Sequence, residues 1–229
     1  MRDAYDKLFT KYPKDDFFRD ALEEIIFIQA EKLQSNWESL KYKLLNNEEL
    51  YIRGHGRDAG GTELFLTLYK HLFNHDKIKK DPTNNLKPTQ VITTLTGLDK
   101  TIHKDTAKRE RIQNYQVSHL FGRTKNPLLF TAAWNIAYIP KYLDPFTGHE
   151  TQGKYRREFQ TLFNDKIFNL FQAYVNDYND FVDAHVSNNI EMALLATQED
   201  FSDKSIPFEK FKLSAVVELS RIATVEVTI

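Results

Sequence analysis

Residues 115–150 read YQVSHLFGRTKNPLLFTAAWNIAYIPKYLDPFTGHE, and the texture of this stretch decides the fold class. Residues 115–120 alternate well enough for a short strand, with His119 at its end, before Phe121 and Gly122. Residues 134–139 form a second strand, stopped by Pro140, which has no N–H to give to a ladder. Between them lies a loop of about a dozen residues containing Gly122, Asn126 and Pro127. Pro145 and Gly148 precede His149, and a helix carrying Lys154, Arg156 and Arg157 follows. The order is strand, loop, strand, helix.

The flanking sequence is helical in texture. Phe18, Leu22, Ile25, Ile26, Leu33, Trp37, Leu40 and Leu44 recur mostly at three- and four-residue steps, which predicts one helix from a cap at Asp15 or Asp16 to about Leu45. A second helix starts at Gly61 and Thr62, with Thr62 as its cap, and carries Leu64, Phe65, Leu68, Tyr69, Leu72 and Phe73. Between them, residues 53–61 read RGHGRDAGG, too rich in glycine for a regular element. Residues 76–88 read as a polar loop, 89–95 as a short helix or strand, and 99–113 as a charged helix. Helix resumes at about Thr151 and runs, with one break, to Asp183 on the stripe Phe159, Phe163, Ile167, Leu170, Phe171, Tyr174 and Tyr178. A further helix covers 190–198, and Phe211, Leu213, Val216, Val217, Val225 and Val227 suggest two short strands or a strand after a helix. The expected fold class is α+β: a mostly helical frame carrying one irregular αβ insert. Its regions would be 1–100, 101–183 and 184–229, together able to form one compact unit.

Composition is that of an ordinary globular chain, 41% apolar and 28% charged with a formal net charge of -1. No run of eighteen apolar residues predicts a membrane span, the charged N-terminus lacks a secretory h-region, and cysteine is absent. Cysteine-ligated zinc is excluded, and a cytoplasmic location is the default expectation. The neutral balance does not suit a protein that coats nucleic acid. Charge is nevertheless concentrated locally: between Lys100 and Lys125 there are seven Lys or Arg residues against Asp105 and Glu110.

A histidine ending the first strand, an asparagine sixteen residues later and a histidine near the following helix resemble the HNH (ββα-metal) endonuclease superfamily, and SHLFGRTKNP looks like its restriction-type members. The resemblance covers about forty residues. It implies a metal-dependent endonuclease hydrolysing DNA phosphodiesters, with His119 as the general base that activates water. It implies Asn135 as the catalytic asparagine, clamping the loop or binding metal, and His149 as the terminal metal ligand. Ser118 stands where many members have a metal-binding Asp and Gln116 where some relatives have one, so the resemblance implies a cation held by Gln116 with His149, or by Asn135 alone. One divalent cation is implied, Mg²⁺ first, with Mn²⁺ or another transition metal accepted by an imidazole ligand. Arg123, Lys125, Arg156 and Arg157 would contact DNA phosphates. Arg53 and Arg57 of the glycine-rich loop suit the same task. A palindromic cutter implies a homodimer on double-stranded DNA. The chemistry fits, because imidazole titrates near neutrality and can take a proton from water at working pH.

Two other readings remain open from the residues alone. One is a non-catalytic helical DNA-binding or regulatory protein using the basic stripe and the arginine-bearing loop. The other is a nuclease or toxin directed at RNA. His71 and His75 lie four apart without an HExxH frame and read as surface residues.

Overall fold

The computed structural model describes residues 3–55, 60–100, 109–148, 151–202 and 208–223. The protein is α+β, as the alternation of textures predicts. The first helices are α1 (Ala4–Phe9) and α2 (Lys14–Glu23). The expected helix to Leu45 then breaks. Ile26–Phe27 forms the short strand β1, and helix resumes only at α3 (Leu33–Leu45). The reason is tertiary: Ile26 and Phe27 pair with Tyr138 and Ala137, so those residues close a sheet edge.

Next come β2 (Leu50–Ile52), α4 (Gly60–Phe73) and β3 (Ile78–Lys80). β2 and β3 run parallel with α4 as their crossover, so part of the expected polar loop at 76–88 is strand. Thr62 lies inside α4, and its hydroxyl accepts the N–H of His55 at 2.9 Å. The undecided stretch at 89–95 belongs to α5 (Leu86–Thr96). Asp81 begins this helix from outside it. The carboxylate is fully buried and accepts the N–H groups of Thr83, Leu86 and Lys87 at 3.0, 3.0 and 2.7 Å, satisfying donors that the first turn cannot pair internally.

The charged helix expected at 99–113 is not found in its described parts. β4 (Leu98–Asp99) pairs in parallel with β5 (Glu110–Arg111), while residues 101–108 lie outside the described residues. Both expected strands are present, as the antiparallel pair β6 (Tyr115–His119) and β7 (Ile136–Pro140), but Trp134 and Asn135 lie in a short 3-10 turn before β7, and Pro140 is its last residue, opposite Tyr115. β7 is the centre of the sheet β1-β7-β6, and all five of its residues are buried.

After a short α6 (Asp144–Thr147), α7 (Lys154–His185) buries Phe159, Phe163, Ile167, Phe171, Val175, Tyr178 and Val182 at four- and three-residue steps. Its one interior break, at Phe171 with φ -120° and ψ 15°, falls within the expected span. α8 (Ile190–Asp200) follows. Of the two C-terminal readings, two strands are excluded, because Phe211, Leu213, Val216 and Val217 lie in helix α9 (Phe208–Leu219); Val225 and Val227, where a strand after that helix would fall, are outside the described residues.

A single apolar cluster includes Phe18, Trp37, Trp134, Phe159, Phe211 and Ile222, so all three expected regions share it. The expected boundary at 183/184 falls inside α7. Among the described residues no helix is long and apolar enough to cross a membrane. Replacing Asp81 by Ala would strand three backbone donors at the start of α5. The expected loss is roughly 2–3 kcal/mol in urea unfolding, and Asp81→Asn should lose less.

Candidate functional site

The site is built on the β6–β7 pair. Side chains alternate along a strand, so Tyr115, Val117 and His119 share one face of β6, and Gln116 and Ser118 the other. His119 is the last residue of β6, opposite Ile136. Its half-buried ring lies parallel to the Phe130 ring, with centroids 5.4 Å apart and planes at 9°. Its Nε2 stands 2.9 Å from the Phe130 carbonyl oxygen. A carbonyl only accepts, so Nε2 carries the hydrogen, and in the neutral ring Nδ1 is left with its lone pair. Burial pushes the His119 imidazolium down to about 4; the Phe130 carbonyl opposes that shift and the Arg53 charge adds to it.

The loop that places Phe130 is held by two buried asparagines. Asn135 has no exposed surface. Its Oδ1 accepts the Phe121 N–H at 2.8 Å, and its Nδ2 donates to the carbonyls of Gly122 at 3.2 Å and Leu129 at 2.9 Å. Its backbone carbonyl accepts the Leu120 N–H at 2.9 Å. The loop-clamping role matches this placement. The metal-binding role expected for Asn135 does not, because the carboxamide is enclosed and committed to the loop. Asn126 holds the other half: Oδ1 accepts the Leu128 N–H at 2.9 Å, and Nδ2 donates to Tyr178 Oη and to the Glu218 carbonyl, each at 2.9 Å. The loop turns through left-handed backbone at Gly122 and Arg123, with φ 65° and 54°.

Two expected DNA contacts are corrected. The Arg123 guanidinium donates to the carbonyls of Val217, Ser220 and Arg221 and to the Ser220 hydroxyl, at and just beyond the C-terminus of α9. There a cation answers unpaired carbonyls and the negative end of the helix. Lys125 pairs with the buried Glu218 at 2.8 Å, and its backbone N–H donates to the same carboxylate at 2.9 Å. The Tyr69 hydroxyl donates to the Lys125 carbonyl. Both cations therefore bolt the hairpin loop to α9. Arg156 Nε donates to the Gly148 carbonyl at 3.1 Å, and Arg157 is exposed on the first turn of α7.

Gln116 is also occupied: its amide N–H donates to Asp144 at the start of α6. Asp144 was not singled out by the sequence, where no spacing distinguishes it from a helix-start aspartate. The Gln116–Asp144 contact belongs to the face of β6 that His119 does not share. His149 and Arg57 lie outside the described residues. Among the described residues no three His, Asp or Glu side chains come together to hold a metal ion.

Arg53, which follows β2 directly, carries the charge that helps to lower the His119 pKa. Its backbone N–H donates to the Thr124 carbonyl at 2.9 Å, which joins β2 to the hairpin loop. Its side chain is exposed, with no hydrogen-bond or ion-pair partner among the described residues. His71 pairs with Asp200 at 2.8 Å, and His75 is buried, so these two do not form a metal pair.

Two outcomes follow. His119 affects stability through its lowered pKa. Above about 6.5 it is neutral folded and unfolded; as pH falls toward 4 the unfolded chain takes the proton first. Stability should therefore drop across that window by roughly 3 kcal/mol and stop dropping below it. Urea midpoints across this range should show that limb in the wild type and its loss in His119→Gln. Lys125→Met, leaving Glu218 buried without its cation, should destabilise by roughly 3 kcal/mol in the same assay near neutral pH.

The chain matches the family described as "Uncharacterised protein PM1201" over residues 28–224, a span that includes Arg53, His119, Asn135 and Glu218. It is similar to the uncharacterized protein PM1201 of Pasteurella multocida (strain Pm70), with 38% identity over 187 residues, covering 80% of this chain and 81% of that protein. No solved structure matches the chain.

Proposed function

We infer that this chain, which belongs to the PM1201 family, is an endonuclease of HNH type that hydrolyses DNA phosphodiester bonds with His119 as general base. The observation that carries the reading is the His119–Phe130 hydrogen bond at the mouth of a loop closed by Asn135. It selects the tautomer with Nδ1 as proton acceptor, and Nδ1 has no protein partner among the described residues. Arg53 supplies an unpaired guanidinium close enough to influence the ring.

The chemistry that these residues supply is proton abstraction and charge placement. Nδ1 takes a proton from water, the resulting hydroxide forms a bond to phosphorus, and the bond from phosphorus to the leaving oxygen breaks with its electron pair. Arg53 faces the negative charge that gathers on the phosphoryl oxygens. Asn135 positions the loop, and through the Phe130 carbonyl the imidazole; it does not touch the reacting atoms. A divalent cation remains part of the proposal as a requirement for activity, without ligands assigned among the described residues. A homodimer on duplex DNA is the matching proposal for cutting both strands.

A base with a pKa near 4 is fully deprotonated at neutral pH but weakly driving. A bound phosphodiester corrects this, because its negative charge neutralises Arg53 and favours the imidazolium. The acid limb of kcat/KM, which reports the free enzyme, should therefore lie below the acid limb of kcat. Arg53→Gln should move the kcat/KM limb upward. Supercoiled-plasmid nicking with Mg²⁺ or Mn²⁺ is the direct test. His119→Ala should lower the rate by about 100- to 10,000-fold, and chelator should abolish it. Equal nicking by wild type and His119→Ala would overturn the assignment. Salt-dependent duplex binding with no nicking, unaffected by chelator, would instead favour the non-catalytic DNA-binding reading.

A further inference from the structure

Two polar side chains, those of Lys80 and Asn84, lie against the bare backbone of Gly54, and Arg53 precedes it in the chain. β2 and β3 are parallel with Ile52 opposite Lys80, so Arg53 and Gly54 leave one strand alongside the end of the other. A Cβ on Gly54 would sit 2.7 Å from Lys80 Cε and 2.9 Å from Asn84 Oδ1, so the Lys80 stem lies across a position that only glycine leaves open. Asn84, itself in left-handed backbone at φ 65°, accepts the Gly54 N–H on Oδ1 at 2.8 Å. That leaves its Nδ2 group without a protein partner among the described residues. The bond from Arg53 N–H to Thr124 holds this corner against the loop that carries Phe130.

The charges here separate into used and unused. Lys79 is paired with Glu49 at 2.5 Å, and Lys87 lies 4.3 Å from the centre of the Tyr51 ring. Arg123 and Lys125 are committed to α9. Arg53 and Lys80 are exposed, and their charged groups have no hydrogen-bond or ion-pair partner among the described residues. The nearby carboxylate of Asp81 does not compete, because it is buried and accepts three backbone N–H groups. An unpaired cation and an amide donor against a glycine, with a second unpaired cation on the preceding residue, at the carboxyl ends of parallel strands, suit an anion with several acceptor oxygens.

We propose that Gly54, Lys80 and Asn84 form a seat for a backbone phosphate of nucleic acid, next to the phosphate on which His119 and Arg53 act, so that Arg53 and Lys80 hold successive phosphates of one strand. The seat rests on the nucleic-acid reading above and adds to it the groups that hold the strand. Binding of a labelled 20-base-pair duplex, measured by anisotropy in chelator across a salt series, tests it apart from cleavage. Lys80→Gln and Arg53→Gln should each weaken binding roughly three- to tenfold at low salt, equally on unrelated sequences. Each should also lower the slope of log affinity against log salt by about one. Lys79→Gln, which removes a paired charge one residue away, should leave that slope unchanged. Gly54→Ala keeps both charges and should weaken binding by displacing Lys80 and Asn84. Wild-type slopes in Lys80→Gln and Arg53→Gln, or an equal change in Lys79→Gln, would overturn the seat. Protection of the wild type against heat by inorganic phosphate, lost in the Arg53/Lys80 double variant and without duplex binding by either, would assign the site to free phosphate and overturn the nucleic-acid assignment. Because chelator is present throughout, an absence of nicking in the plasmid assay would remove the hydrolase reading and leave the seat standing on its own measurement.

Discussion

The Asn135 carboxamide is the interaction on which the rest of the site depends. The connection from β6 to β7 runs through the interior, and Leu128, Leu129 and Phe130 are buried in it. A buried loop must find partners for its peptide groups, since water cannot serve them. Asn135 supplies three such bonds from one side chain, to Phe121, Gly122 and Leu129. It can do so because Trp134 beside it is locked in the core, edge-on to Trp37 at 5.5 Å and stacked with Tyr174 at 6.1 Å. With the loop closed in this way, the Phe130 carbonyl arrives at His119. The imidazole orientation is therefore a consequence of core packing.

The second constraint is electrostatic. Glu218 is buried far along the chain from the hairpin, yet it answers Lys125 twice, through the backbone N–H and through the ammonium. Arg123 answers the free carbonyls at the end of the same helix. These contacts turn a basic sequence into a structural fastening. The positive charge left for a ligand then lies on a different strand pair, at Arg53 and Lys80. A chain with a net charge of -1 can thus still present a small region of unpaired positive charge.

This division explains how the chemistry and the frame share residues. The imidazole is kept neutral by burial and by the neighbouring guanidinium, both of which disfavour the imidazolium. In the proposed hydrolysis an incoming phosphodiester would relieve the second of these. Under that proposal the geometry that lowers the pKa in the free protein would let it rise when substrate is bound, coupling proton abstraction to occupancy.

Local pattern alone determined much of the frame. The β6–β7 pair was legible from alternation and from Pro140, and α4, α7 with its break, and α8 from periodicity, because each is long enough for its apolar residues to repeat. His119 and Asn135 stood out by position at the ends of those strands. What tertiary structure decided is everything that depends on a distant partner. β1, β2 and β3 are two or three residues long, too short to show a period, and exist because another strand edge accepts them. α9 reads ambiguously as strand or helix because its apolar Leu213, Val216 and Val217 are exposed, while the residues that bury it are Phe211, Ala215, Glu218 and Leu219. A lysine or arginine looks the same in sequence whether it faces water, a phosphate or a buried carboxylate. Only the fold, by bringing Glu218 to Lys125 and leaving Arg53 and Lys80 without partners among the described residues, separates those fates.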